Sequence, residues 1–287
     1  MKRSYIIASV MKWVLLAFTM IAAGTTFFIV IFIAMRGLPL FASFSPLQFL
    51  FSASWLPTAA EPSFGIAAFI VGTFQVTLLA LVIAIPISLA SAIIMAYLTP
   101  PKIAGFFRLM VSLLAGIPSV VYGFFGIVAV APFIREHIGG NGFSILTAGV
   151  ILAVMIIPTI VSVSETSLRA VADEIKMGSL ALGATLWQTI VRVLLPSAKS
   201  GISAAIALGM GRAMGETMAV LMVAGNAPVI ARSLTGMGRT LTMNVVNEMG
   251  YASGTHLSAL FATALVVVVL VLLLNLLVSY INRESKK

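Results

Sequence analysis

Long stretches without a charged residue are the feature that most restricts the fold of this sequence. Five such runs of 23 to 40 residues lie between charged side chains, and a sixth, 200–231, is interrupted only by Arg212 and Glu216. A helix needs about 20 apolar residues to cross a bilayer. Because backbone in lipid must satisfy its own hydrogen bonds, the runs predict helices rather than open strands. The chain is therefore predicted to be all-α, a polytopic membrane protein with about six transmembrane helices.

The composition excludes several kinds of chemistry. Of the 287 residues only 9% are charged, whereas soluble domains carry about 25%. The absence of cysteine excludes disulfides, thiolate nucleophiles and cysteine metal sites. No phosphate-binding Walker loop and no Ser/His/Asp set is present. We therefore expect a transport protein rather than an enzyme, without a metal or cofactor of its own, and any ATP hydrolysis has to come from another subunit.

The net charge of +9 is distributed as membrane topology requires. Twelve of the 17 basic residues fall at the two termini and in the even-numbered loops, and the other side has only Arg36, Arg135, Arg232 and Arg239. Excess Lys and Arg mark the cytoplasmic side. Both termini are therefore predicted to be cytoplasmic, and the positive charge is predicted to attract anionic lipids rather than nucleic acid.

Turn residues and charges set the predicted bounds of the spans. At 23 residues, the first span exceeds the 7–15-residue core of a signal peptide, so we expect it to be retained. The predicted spans are Trp13–Met35, Gly65–Leu98, Phe107–Phe133, Phe143–Val163, Ser200–Ala224 and His256–Asn282.

Two units follow from this organisation. Residues 1–64 form an N-terminal helix and an outer, periplasmic segment, which is predicted to lie on the membrane or to pack against the bundle. Residues 65–287 form the transmembrane core, with the long loop 164–199 on the cytoplasmic side.

Proline and glycine predict where the spans bend and pack. Pro86 predicts a kink in the second span, and Pro118 predicts a bend in the third. Gly116 and Gly123 allow close approach between helices.

The remaining polar residues are predicted to have structural rather than functional roles. His137 and His256 have no second ligand at metal-binding spacing, so they are predicted to be interfacial side chains. Asn141, Asn226 and Asn244 are predicted to be turn or loop residues.

The loop 164–199 has a pattern of its own. A short amphipathic segment ends at Gly183, a second helix is predicted from about Thr185, and Pro196 is predicted to stop it. Two short helices on the cytoplasmic face fit two interpretations equally well. They form either a docking surface for a partner or a loop folded back on its own bundle.

Arg212 and Glu216 are predicted to lie inside the fifth span, four residues apart and hence on one helical face. One interpretation is an intrahelical salt bridge that makes both charges tolerable. The other is a pathway site, together with Thr217, in which the guanidinium donates to a passing oxyanion. We favour the pathway site because intramembrane ionisable residues are functional by default. Gln75 and Thr77 in the second span are further pathway candidates, although helix–helix hydrogen bonds are the simpler interpretation.

The loop resembles a known signature. Gly183, followed after nine residues by Val193-Leu194-Leu195-Pro196, is similar to the cytoplasmic motif of permeases of binding-protein-dependent ABC importers. That motif begins with Glu-Ala-Ala, whereas this chain has Met177-Gly178-Ser179, with Glu174 three residues upstream as a substitute acid.

Three segments resemble the PstC permeases of phosphate importers more closely. They are Leu180–Trp187 in the loop, Gly211–Asn226 in the fifth span and Gly116–Gly123 in the third. The resemblance covers about residues 65–282.

The resemblance implies a MetI-like ABC permease fold with cytoplasmic coupling helices, in the bacterial inner membrane. It implies half of the anion pathway of an ATP-driven phosphate importer, completed by a PstA-like second permease subunit. Two PstB-like ATPase subunits would hold the ATP and Mg, and a PstS-like phosphate-binding protein would dock on the outer side. The implied ATPase contacts are Glu174, Lys176, Met177, Gly178, Ser179, Ala181, Gly183, Ala184, Thr185, Trp187, Leu195 and Pro196.

Two alternatives stay open. One is a permease for another oxyanion, such as sulfate, molybdate or phosphonate. The other is a proton-coupled secondary transporter in which Glu216 carries protons, which predicts an inverted repeat of broken helices. The sequence shows no such repeat.

Overall fold

The computed structural model describes residues 2–284, with side chains for 10–278 and Tyr280, as a bundle of helices. A short 3-10 helix, Leu38–Ala42, and a hairpin of β1 (Trp55–Leu56) and β2 (Ser63–Phe64) precede the main bundle. The helices are α1 (Lys2–Gly37), α2 (Pro46–Phe51), α3 (Ala67–Leu98), α4 (Pro101–Gly116), α5 (Ser119–His137), α6 (Ile145–Arg169), α7 (Asp173–Ala181), α8 (Leu186–Ser197), α9 (Lys199–Gly215), α10 (Met218–Val223), α11 (Leu241–Glu248) and α12 (Gly254–Glu284).

Five of these helices, α1, α3, α5, α6 and α12, are long and apolar enough to cross a bilayer within the described residues. The 17 residues of α9 rise about 26 Å, which is short of the ~30 Å hydrocarbon core. By length, α8 and α9 could form one broken span, but they are bent by 70°. The short α10 begins two residues after α9 and is buried against α5 and α6. The described residues therefore contain five candidate spans, or six if α8 and α9 are taken as one. The prediction of about six transmembrane helices is confirmed.

The centre of the bundle is the contact between α3 and α6. Small residues let the two backbones approach closely, and a Cβ on Gly149 would meet the side chain of Leu79. About three turns further along the same face of α6, Gly209 of α9 packs directly on Ile160. Pro86 lies inside the continuous α3.

The chain alternates direction between two ends. We call the end with residues 164–199 the loop end, and the end with residues 38–66 and 225–253 the opposite end. At the opposite end Phe49, Trp55 and Phe64 are buried against Phe69 of α3. The segment before α3 therefore packs against the bundle, which was one of the two predicted arrangements.

The third predicted span is two helices rather than one bent helix. Ile117, between α4 and α5, is extended (φ −70°, ψ 128°), because the residue before Pro118 is pushed out of the α region. Gly123 makes the predicted close approach, since a Cβ there would lie 2.6 Å from Met222 Sδ. The same prediction is wrong for Gly116, which is exposed with open space around it.

Candidate functional site

The helix predicted to carry Arg212 and Glu216 on one face is broken before Glu216. That residue is extended (φ −68°, ψ 133°), and α10 starts two residues later. No salt bridge joins the two side chains in the described part of the chain. The prediction of one continuous face is therefore wrong. The Thr217 hydroxyl donates to Gly215 O (3.3 Å) and the Glu216 carboxylate accepts from Ala219 N (3.2 Å). Both side chains compete with the helical hydrogen bonds: Thr217 bonds to the last residue of α9, and the Glu216 carboxylate caps the start of α10.

Arg212 is left without a carboxylate partner inside the membrane. Its Nη1 donates to Thr159 Oγ1 on α6 at 3.1 Å, and the side chain is half-buried. Its other donors have no acceptor among the side chains and backbone that the structure describes. A guanidinium in this state can donate a forked pair of hydrogen bonds to an oxyanion.

A second interruption lies beside the first. The α5 helix, which begins after the α4–α5 break, packs on α10, with Tyr122 buried against Ala219. Non-helical backbone at membrane depth persists only where protein buries it or where it lines a water-filled cavity. Pro118 and Gly215, which flank the two breaks, are exposed, so this region faces a cavity or another protein chain.

The candidates on α3 are not part of this cluster. Gln75 Nε2 donates to Ala231 O at 3.0 Å, which ties α3 to the segment after α10. Thr77 is buried. Neither side chain bonds to Arg212 among the described residues, and the Gln75 bond is to a loop carbonyl rather than to another helix.

A buried charged network at the opposite end was missed by the sequence analysis. Glu248 accepts from Trp55 Nε1 (2.9 Å) and from Arg239, and its Oε2 lies 2.8 Å from His256 Nε2. Arg239 also donates to Asn244 Oδ1 at 2.8 Å. The prediction of a partnerless interfacial His256 is therefore wrong. Asn244 is buried within α11, so the prediction of a turn residue there is wrong as well.

This network holds α11 against the helix break. In the first turn of α11, Thr242 Oγ1 donates to the carbonyl of Glu216 at 3.0 Å. Beside it, Leu241 N donates to Thr73 Oγ1 of α3 at 3.0 Å. The backbone at Glu216 is therefore fixed from the opposite end of the bundle.

The loop 164–199 folds largely as predicted. A Schellman motif ends α7 with Gly183 at φ +84°. A capping box of Thr185 and Gln188 starts α8. The predicted stop at Pro196 is confirmed to within one residue, since α8 ends at Ser197 after a π-helical turn over Ile190–Leu194.

The two loop helices present an apolar surface that none of the described residues covers. Met177 and Trp187 are 63% exposed and Leu182 is 91% exposed. Ser179 and Thr189 join α7 to α8 through their hydroxyls at 3.0 Å, so the surface is a fixed shape. The other predicted coupling residues lie around it: Glu174, Gly178, Ala181, Gly183, Thr185 and Pro196 are exposed, and Lys176, Ala184 and Leu195 are half-buried.

The sequence and the fold are both similar to known transport proteins. Residues 88–287 match the family described as binding-protein-dependent transport system inner membrane component. The probable ABC transporter permease protein YqgH of Bacillus subtilis is 40% identical over 275 residues, covering 94% of this chain and 88% of that protein. The phosphate transport system permease protein PstC of Pasteurella multocida is 35% identical over 239 residues, covering 76% and 74%.

Solved structures agree on the fold. A bacterial ABC transporter for alginate import superposes with a TM-score of 0.64 at 15% identity, covering 96% of each chain. An inward-facing MetNI methionine ABC transporter gives 0.62 at 21% identity, covering 77% of this chain and 96% of that one. The MetI-like fold prediction is confirmed. The chain belongs to the binding-protein-dependent transport system inner membrane components, the permease subunits of ABC importers.

Proposed function

We propose that the chain forms half of the anion pathway of an ATP-driven phosphate importer, and that Arg212 binds the anion in passage. The observation that carries this proposal is a guanidinium with free donors beside a helix break in the bundle. A guanidinium stays charged at any physiological pH, and its fork matches phosphate oxygens. The resemblance to PstC of Pasteurella multocida supports phosphate as the substrate.

In this proposal Glu216 acts on the backbone rather than on the arginine. By capping α10 it keeps the break in place, and no carboxylate among the described residues then competes with the anion for Arg212. Thr217 completes the break, whereas Gln75 and Thr77 support the α3 side of the bundle.

We place the loop end in the cytoplasm, with both termini there. The excess of Lys and Arg at that end supports this orientation. The exposed apolar surface of α7 and α8 is proposed to seat a PstB-like ATPase, which holds the ATP and Mg. A PstA-like permease completes the pathway, and a PstS-like phosphate-binding protein docks at the opposite end.

The substrate is tested with vesicles that contain both permeases, both ATPases and the binding protein. We expect ATP-dependent uptake of radiolabelled phosphate that excess sulfate, molybdate or phosphonate leaves unchanged. Uptake of one of those anions instead of phosphate would contradict the assignment of phosphate as the substrate. Uptake driven by a proton gradient without ATP would favour the secondary transporter.

ATPase docking is tested with the Leu182→Asp and Trp187→Asp variants. We expect each charge to lower the amount of ATPase that copurifies with the permease at least tenfold, because an apolar contact loses its desolvation gain when it receives a carboxylate. The matched control is Leu56→Asp, an exposed leucine at the opposite end, which should leave copurification intact. Undiminished ATPase in both loop variants would exclude α7–α8 as the docking surface.

A further inference from the structure

A polar stripe on α6 runs from the Arg212 contact to the loop end. Its members are Thr159, Ser162, Thr166 and Arg169. At 100° per residue, they fall within about 80° of the helix circumference. Ser162, Thr166 and Arg169 are exposed and Thr159 is half-buried, although all four residues lie within α6, which is long and apolar enough to cross a bilayer. Exposed polar groups in a membrane face a cavity or another protein chain rather than lipid.

The stripe lies between the side of α6 that contacts α4 and the side that contacts α9, and we infer that it is the floor of a groove between those two helices. On one side of it, Ile160 and Ser167 pack against Gly209 and Gly201 of α9. On the other side, Glu165 binds α4. The upper end of the groove is the site where Arg212 donates to Thr159.

Two half-exposed arginines close the lower end of the groove. Glu165 is buried, and its Oε1 accepts from Arg108 Nε at 2.9 Å and from Arg169 Nε at 2.8 Å. Arg169 Nη2 also donates to Met95 O of α3 at 2.7 Å. One carboxylate therefore holds two cations, which leaves one unit of positive charge at this end. Both Nη groups of Arg108 and Nη1 of Arg169 have no acceptor among the described residues.

We propose that this groove, which we call the exit track, carries a tetrahedral oxyanion from Arg212 to Arg108 and Arg169. The track is ten residues long, about 15 Å, which is half of the hydrocarbon core. Hydroxyls on the floor exchange hydrogen bonds with the anion, and the net charge at the lower end attracts it toward the loop end. This proposal rests on the proposed function, because it assumes that Arg212 binds the anion.

The lack of cysteine in the chain makes a direct test possible. Ser162→Cys and Thr166→Cys are placed singly in the assembled complex in vesicles. They are treated with an anionic and a cationic methanethiosulfonate of equal size, and labelling is read from the mass of this chain. We expect the anionic reagent to react about tenfold faster and saturating phosphate to slow the reaction. The control is Leu272→Cys on α12, where the leucine is exposed. Leu272 lies 18 residues after the start of α12 and Ser162 lies 17 residues after the start of α6, so the two positions are at similar depth. Lipid should keep the thiol of Leu272→Cys unreactive.

A second pair of variants tests whether the positive charge of Arg108 and Arg169 attracts the anion. Arg108→Gln and Arg169→Gln, each combined with Ser162→Cys, should lower the preference for the anionic reagent at least threefold while the cationic reagent still reacts. Continued reaction with the cationic reagent shows that the groove has kept its shape.

Thiols that react in no state of the ATP cycle would mean that the second permease covers the groove, and they would overturn the exit track. Equal rates with both reagents would do the same. Phosphate uptake by the unmodified complex is measured alongside. Absent uptake contradicts the proposed function, whereas uptake without labelling contradicts only the exit track.

Discussion

Replacing Arg212 with glutamine is expected to lower the initial rate of phosphate uptake at least about 100-fold in vesicles that contain the assembled complex. Glutamine keeps a donor for Thr159 but loses the charge and the fork. Losing one partner of a desolvated charge pair costs about 2–5 kcal/mol, and 2.7 kcal/mol corresponds to about 100-fold. Arg212→Lys keeps the charge without the fork, so we expect an intermediate loss of about tenfold.

The effect has to be separated from a failure to assemble. Copurification of the second permease and the ATPases should be unchanged, because Arg212 is half-buried and its side chain makes one hydrogen bond among the described residues. Arg232→Gln is the matched control, since this arginine is exposed in the segment after α10 and has no salt bridge among the described residues. Full uptake by Arg212→Gln would contradict the proposal that Arg212 belongs to the anion pathway.

The spans could be predicted because the bilayer sets a simple requirement. Charge-free runs of about 20 residues are costly to place anywhere else, so the bounds of α3 and α12 fall within two residues of their predicted positions. The helices of the loop were predictable for a different reason. Gly183 and Thr185 act locally, through a left-handed backbone and a capping box.

The break at Glu216 could not be predicted in the same way. Hydrophobicity does not register it, because Met218–Val223 is as apolar as the helix before it. Two of its hydrogen bonds come from neighbouring side chains, and one comes from Thr242, 26 residues away.

The network around Glu248 could not be predicted from the sequence, because its members are far apart along the chain. Trp55 and Glu248 are 193 residues apart in sequence, and no local pattern joins them. The polar stripe on α6 had a detectable signal, since Thr159, Ser162, Thr166 and Arg169 follow helical spacing. It was missed because the loop was taken to begin at residue 164, whereas α6 continues to Arg169.

Replacing Glu248 with alanine is expected to be the most destabilising single change at the opposite end. Arg239 and Glu248 are 8% and 6% exposed, so the substitution leaves a buried guanidinium without its carboxylate. Breaking a buried ion pair from one side costs about 3–5 kcal/mol. The measurement is the Tm of the purified complex in detergent. The control is Glu136→Ala, an exposed glutamate 3.8 Å from Arg135, which should leave the Tm unchanged. An equal Tm for both variants would contradict the structural role of the network.

A double variant separates stability from geometry. Arg239→Met combined with Glu248→Leu removes both charges and keeps apolar volume, which is often neutral for stability, so most of the lost Tm should return. The Trp55 and His256 nitrogens stay unpaired in this variant, which makes recovery incomplete. Because α11 also presents Thr242 to Glu216, uptake should recover along with the Tm if the network acts only through folding. Recovered stability with low uptake would mean that the charges of Arg239 and Glu248 also set the position of α11 against the helix break. The network would then couple the opposite end of the bundle to the pathway.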